Sequence, residues 1–169
     1  MIVQFIEIPE LTFEKVHYYT VLLEGRSHSE FRDFQIRMTL QEKDRADLAE
    51  INRYIQQIGD EYGAHTQHFK KEDAAERLPP PYHVFIETDE PNDYGLRLYC
   101  IRLSPSVVIL LNGDRKTALK VHDCKNCYVH FDRARKISRE IDRAITDGFM
   151  EIDDDEKELI IDEDFDITI

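Results

Sequence analysis

The chain has 169 residues, 41% hydrophobic and 34% charged, with a formal net charge of −13 and a pI near 4.9. That length suits one domain with a buried core, and no run of about 18 apolar residues occurs to make a membrane-spanning helix. A balance this acidic repels nucleic acid from the molecule as a whole, so any such binding needs a local basic patch.

The charge is unevenly spread. Residues 151–169 hold ten acids and one base, net −9, whereas residues 92–150 are net +4 and residues 1–91 net −8. The three cysteines, Cys100, Cys124 and Cys127, are too few and odd in number for a disulfide framework. The N-terminus has neither a basic n-region nor a long apolar h-region, so no signal peptide is expected and a cytoplasmic location is.

In chain order, Ile2, Val3, Phe5, Ile6 and Ile8 predict a strand that stops at Pro9. Phe13 to Leu23, rich in Val, Tyr and Thr, predicts a second strand ending at Gly25. Phe31 to Leu40 alternates, with Phe34, Ile36, Met38 and Leu40 on one side, and predicts a third; a lead-in to the next helix is the alternative. Asp44 reads as an N-cap with Asp47 at N3. Leu48, Ile51, Ile55 and Ile58 then form a helical stripe to about Tyr62, and Gly63 ends it. Phe69 to Arg77 is a short helix candidate. The triple proline at 79–81 is a stiff extended segment, His83 to Glu87 a strand, and residues 90–93 a turn.

Two strands, about 96–103 and 107–112, follow around Ser104-Pro105-Ser106. A second helix runs over about 131–146, with Phe131, Ala134, Ile137, Ile141, Ala144 and Ile145 on one face and Asp147-Gly148 as its stop. The acidic end reads as a hairpin-like pair of short strands.

Three constellations carry chemistry. The first is basic: Arg97, Arg102, Arg115, Lys116 and Lys120 around the central strands. Strand alternation puts Arg97 and Tyr99 on one face, a cation beside an aromatic, the pairing that grips a phosphate and stacks a base. The bland reading is strand-end charge paired with the many acids. The second constellation is His122, Cys124, Cys127 and His130, in the pattern His-x-Cys-x2-Cys-x2-His. It stands open between a zinc site, a redox pair at a helix start, and a plain loop with a half-buried cysteine, the last preferred. The third is the acidic tail, a solvated turn or, more sharply, an RNA mimic folded over the basic segment.

Leu96-Arg97-Leu98-Tyr99, a turn, Val107-Val108-Ile109-Leu110-Leu111 and then Asn112-Gly113-Asp114-Arg115-Lys116-Thr117 resemble the central strands of the RelE/HigB family of bacterial toxins. The likeness spans about 22 residues, and Arg97 with Lys116-Thr117 are its polar anchors. It implies a RelE-like α+β fold: an antiparallel sheet with two main helices, an N-terminal strand extension and acidic C-terminal strands. The whole chain, 1–169, is then one RelE-like domain with a core of about 44–146 and an acidic extension over 151–169.

By activity, the resemblance implies a toxin-like endoribonuclease acting on ribosome-bound mRNA and held by an antitoxin protein. Mapped by motif, Arg97 and Lys116 would contact the phosphate as catalytic groups; Tyr99, Arg115 and Lys120, which lie near the match in the basic constellation, are the substrate-binding candidates. No cofactor is expected unless zinc occupies the second constellation. The acidic balance keeps two alternatives in play: a non-enzymatic module that uses the same sheet to bind protein, and a zinc-stabilised binding domain.

Overall fold

The structure is a computed structural model and describes residues 1–79 and 93–169. The triple proline beyond Pro79, the expected strand at 83–87 and most of the turn at 90–93 lie outside the described residues. Two antiparallel strands open the chain, β1 (Ile2–Thr12) and β2 (His17–Leu23). Helices α1 (Glu30–Leu40) and α2 (Arg45–Gln57) follow. Next come a short hairpin, β3 (Lys70–Glu72) and β4 (Ala75–Leu78), then β5 (Leu96–Arg102) and β6 (Val107–Arg115). Helix α3 (Lys125–Thr146) leads to β7 (Met150–Asp153), β8 (Glu158–Ile161) and β9 (Ile167–Thr168).

Among the described residues the main sheet has seven strands in the order β3-β4-β5-β6-β2-β1-β9, and β7 pairs with β8 apart from it. The expected α+β class holds, with three corrections. The sheet is mixed, because β2 runs parallel to β6, with His17 opposite Val107 and Tyr19 opposite Ile109. Among the described residues three long helices are present instead of two, and they cover both faces. The N-terminal strands are no appendage, since β2 lies inside the sheet next to β6.

The two-residue period of the strands explains the layering. Tyr18, Leu98, Cys100, Val108 and Leu110 pack with Phe34, Met38, Leu48, Ile51 and Ile55 of α1 and α2. Their sequence neighbours Tyr19, Tyr99, Ile101, Ile109 and Leu111 pack with Phe131, Ala134, Ile137 and Ile141 of α3. Each fully buried Phe, Ile or Leu contributes roughly 1.5–3 kcal/mol. The Tyr18 hydroxyl, deep in the first layer, donates to the Ile55 carbonyl at 2.8 Å, which satisfies it there.

Two predicted elements change type. Phe31 to Leu40 is helical because Ser29 caps it, its Oγ accepting from the Arg32 N–H at 3.3 Å. Phe34 and Met38, one turn apart, are the buried pair, while Leu40 is 72% exposed and belongs to no buried strand face. The expected helix over Phe69 to Arg77 is instead the β3–β4 hairpin, turned at Asp73 with φ 57°, a conformation that Asp tolerates better than most residues.

Asp44 caps nothing with its side chain. The α2 stripe is as expected, with Leu48, Ile51 and Ile55 buried, and a wider turn over Ile58–Tyr62 carries the helix to Gly63, whose φ of 77° suits glycine. Helix α3 starts at Lys125, several residues before the apolar stripe begins, and ends at Asp147-Gly148 as expected.

The acidic end forms the expected hairpin, β7–β8, and then adds β9 to the free edge of β1. It does not lie over the basic strand ends. Ser106, in the β5–β6 turn, donates to Asp154 at 2.6 Å, and Tyr19 meets Leu159 at 3.2 Å. Arg97 and Lys116 stand at the opposite end of that hairpin, roughly 30 Å away along the strand. The tail therefore packs on α3 and the β5–β6 turn and does not cover Arg97 or Lys116.

Candidate functional site

Register brings the two anchors of the basic constellation together. Leu96 pairs with Arg115 and Arg97 with Asp114, so the start of β5 lies beside the end of β6. The Lys116 N–H then donates to the Gly95 carbonyl at 2.9 Å, which extends the pairing by one step. This close approach needs Gly113: a Cβ there would stand 1.7 Å from the Arg97 carbonyl oxygen. The strand therefore runs past the glycine to Arg115, further than its apolar run.

Arg77, on β4, joins the pair. It pairs with Tyr99 across the strands, and its Nε donates to Glu72 Oε1 at 2.9 Å. Glu72 also acts on Arg97 and Lys116, so one carboxylate serves three cations. Burial pushes Arg97 down to about 10, and nearby Arg77 adds to that. Burial likewise lowers the Lys116 amine, with Arg97 and Arg77 pushing the same way and Glu72 opposing. Perturbed titrating groups gathered at strand ends mark functional sites in many folds.

Access differs within the cluster. Arg97 is 4% exposed, and its Nη1 donates to the Leu96 carbonyl at 3.0 Å. Lys116 is half-buried and is the most exposed of the three cations. Arg77 was not legible beforehand, because only the unexpected β3–β4 hairpin carries it to Arg97.

The other candidates fall elsewhere. Tyr99 shares the Arg97 face as expected, but it is fully buried against Phe131, ring centroids 5.9 Å apart, which makes it a core residue and no platform for a base. Arg115 is buried on carboxylates: Asp44 at 2.5 Å, Asp93 at 2.7 Å and Asp47 at 2.9 Å. That is a tie between β6 and the start of α2, and it answers the bland reading. Arg102 faces Glu76 at 3.6 Å, and Lys120 is exposed in the loop ahead of α3.

His122, Cys124, Cys127 and His130 do not converge. His122 packs its ring 5.8 Å from Phe131. Cys124 sits at the start of α3, accepts from the Thr117 N–H at 3.4 Å, and is buried. Burial raises its thiol, but hydrogen bonds with Thr117 and Cys127 carry it below the usual value. Cys127 points its thiol to the Asp114 carbonyl at 3.4 Å, and burial pushes its pKa up. His130 faces α1, away from both thiols, at a crevice with Glu30 and Asp33. Among the described residues no three His, Cys, Asp or Glu side chains gather as a metal site would require.

Compared with protein-family models, with curated proteins and with solved structures, the chain matches none.

Proposed function

We propose that this protein is a toxin-like, RNA-directed protein of the RelE/HigB type, with Lys116 as the group that meets the scissile phosphate. The observation that carries this reading is the meeting of Lys116, Arg97 and Arg77 at one end of the β5–β6 hairpin. Cations so placed stabilise charge that develops on a phosphate. In RNA cleavage the 2′-oxygen attacks the adjacent phosphorus, the 5′-oxygen leaves, and one proton departs as another arrives. Burial lowers the Lys116 amine, which eases the release of a proton from it, and Arg77 and Arg97 supply positive charge behind it. An antitoxin protein and ribosome-bound mRNA are the partners that go with this reading.

A second reading is favoured by the burial of Arg97 and the full engagement of Arg115. In it the chain is a non-enzymatic module whose basic residues hold its fold, and the sheet serves protein binding.

The test is a translation reaction programmed with a defined mRNA, run with wild type, Lys116→Ala and Lys116→Arg. Cleavage at ribosome-positioned sites that Lys116→Ala abolishes, in a variant with wild-type circular dichroism, supports the toxin-like reading. Absence of cleavage by the wild type moves the conclusion to the interaction module.

A further inference from the structure

The parallel pairing of β2 and β6 stops at Tyr19 opposite Ile109. Beyond that point β2 stays paired with β1 as far as Leu23, and β6 stays paired with β5 as far as Arg115. From the carboxyl end of β2 the chain enters α1 on one face of the sheet; from that of β6 it enters α3 on the other. Two adjacent parallel strands whose connections leave to opposite faces open a crevice outside their carboxyl ends. Open α/β sheets bind small ligands at such switch points.

The crevice here holds a cavity of about 290 Å³, near the lower end of small-ligand sites. Arg26 and His28 of the β2–α1 loop, Glu30 of α1, Asn112 of β6, and His130 and Arg133 of α3 contribute to its wall. Several of these groups are already matched. Arg133 Nη1 donates to Glu30 Oε2 at 3.0 Å, and Asn112 Nδ2 to Asp33 Oδ2 at 2.9 Å. Arg37 donates to Asp33 Oδ2 at 2.8 Å, to the Gly113 carbonyl at 2.7 Å and to Asp114 Oδ2 at 2.9 Å, so it caps the free edge of β6.

His130 is different. Its Nδ1 is buried with no hydrogen-bond partner among the described residues. A buried polar atom left so is costly, and a small rotation of the ring toward a bound hydrogen-bonding group relieves it. Arg26 and His28 of the loop are exposed, so Arg26 adds a positive charge, and His28 a ring that hydrogen-bonds, beside a wall of internally matched pairs.

We propose that the crevice between the carboxyl ends of β2 and β6 binds a small organic anion no larger than a mononucleotide, with its phosphate or carboxylate group at Arg26 and His28 and its hydrogen-bonding body against His130. Arg77, Arg97 and Lys116 do not line this cavity, so the inference stands independently of the RNA reading. Burial, with Arg37 and Arg133 nearby and Asp33 opposing, holds His130 neutral at physiological pH, and a neutral imidazole both donates and accepts hydrogen bonds.

The test follows the ring nitrogens of His130 by NMR while AMP, UMP, citrate or inorganic phosphate is added to the full chain. Wild type is compared with Arg26→Ala, a substitution at an exposed loop position. Saturable shifts at His130 with AMP, UMP or citrate, weakened about tenfold or more by Arg26→Ala, are expected, in line with loss of a charge-assisted contact. Nucleotides without citrate, or citrate without nucleotides, identifies which source of the anion the site takes. No saturable shift with any organic anion overturns the proposal. So does inorganic phosphate binding as tightly as the organic anions, because the body then adds nothing. Binding that Arg26→Ala leaves unchanged overturns the placement of the charged group.

Discussion

Arg115 Nε lies 2.5 Å from Asp44 Oδ1, with 7% and 3% of the two side chains exposed. The pair joins the end of β6 to the residue that opens α2, and Asp93 and Asp47 complete the ring of acceptors. Taking one member from a buried ion pair strands the other, at about 3–5 kcal/mol. Arg115→Ala is therefore expected to lose that much stability in urea unfolding. Arg115→Lys recovers little, because a single ammonium lacks the fork that meets three carboxylates. A loss below about 1 kcal/mol, the range of exposed pairs, shows that the tie is not a structural one.

Gly113 is required by contact rather than by a turn. A Cβ would lie 1.7 Å from the Arg97 carbonyl oxygen, and neither backbone moves without breaking the β5–β6 ladder. Gly113→Ala should cost at least the 1–3 kcal/mol typical of overpacking, roughly. Gly25→Ala is the comparison, since a Cβ there meets nothing within 4 Å and only its φ of 78° opposes the change. Equal midpoints for the two variants in denaturant would contradict this account.

His130 should make stability fall as the solution is acidified. Its pKa in the folded chain is about 4, against an ordinary 6.5, because burial opposes the charged ring. Between those values the unfolded chain binds the proton and the folded chain does not, so stability drops from about pH 6.5 to about pH 4 and then levels off for this group. His68, lowered by burial, contributes in the same direction. Unfolding free energies across this range should show a shallower slope for His130→Gln than for wild type. Identical slopes would place the protonation elsewhere.

The acidic end is a structural element. Phe165 stacks on Phe149 with centroids 4.6 Å apart, and β9 covers the edge of β1. Phe165 is only half-buried, so Phe165→Ala should cost about 1–2 kcal/mol, less than a core phenylalanine, or several degrees in Tm. A 1–150 truncation should melt lower still and bind RNA no better than the full chain. Tighter RNA binding by a truncation that stays folded would support the mimicry reading.

Elements with strong local periodicity were legible from residues alone. The α2 stripe of Leu48, Ile51 and Ile55, the central pair of strands and the Phe131–Ala134–Ile137–Ile141 face of α3 each repeat at the spacing of the element they form. Phe31 to Leu40 was not, because its apolar residues fit both periods, and the deciding Ser29 cap and the partners of Phe34 lie outside the segment. Among site residues, Arg97 and Lys116 were visible from their places at the strand ends, whereas Arg77 was not, since its approach depends on how β4 docks on β5.

By itself the sequence determined the alternation that divides the sheet residues between two cores, the amphipathic stripes of α2 and α3, and the segregation of charge along the chain. These are local properties of residue type and spacing. Only the tertiary structure decided that β2 lies parallel to β6, that Arg115 is consumed by three carboxylates, and that His130 turns from the cysteines toward α1. Each of those depends on contacts between segments distant in the chain, and packing selects such contacts where no residue pattern within one segment does.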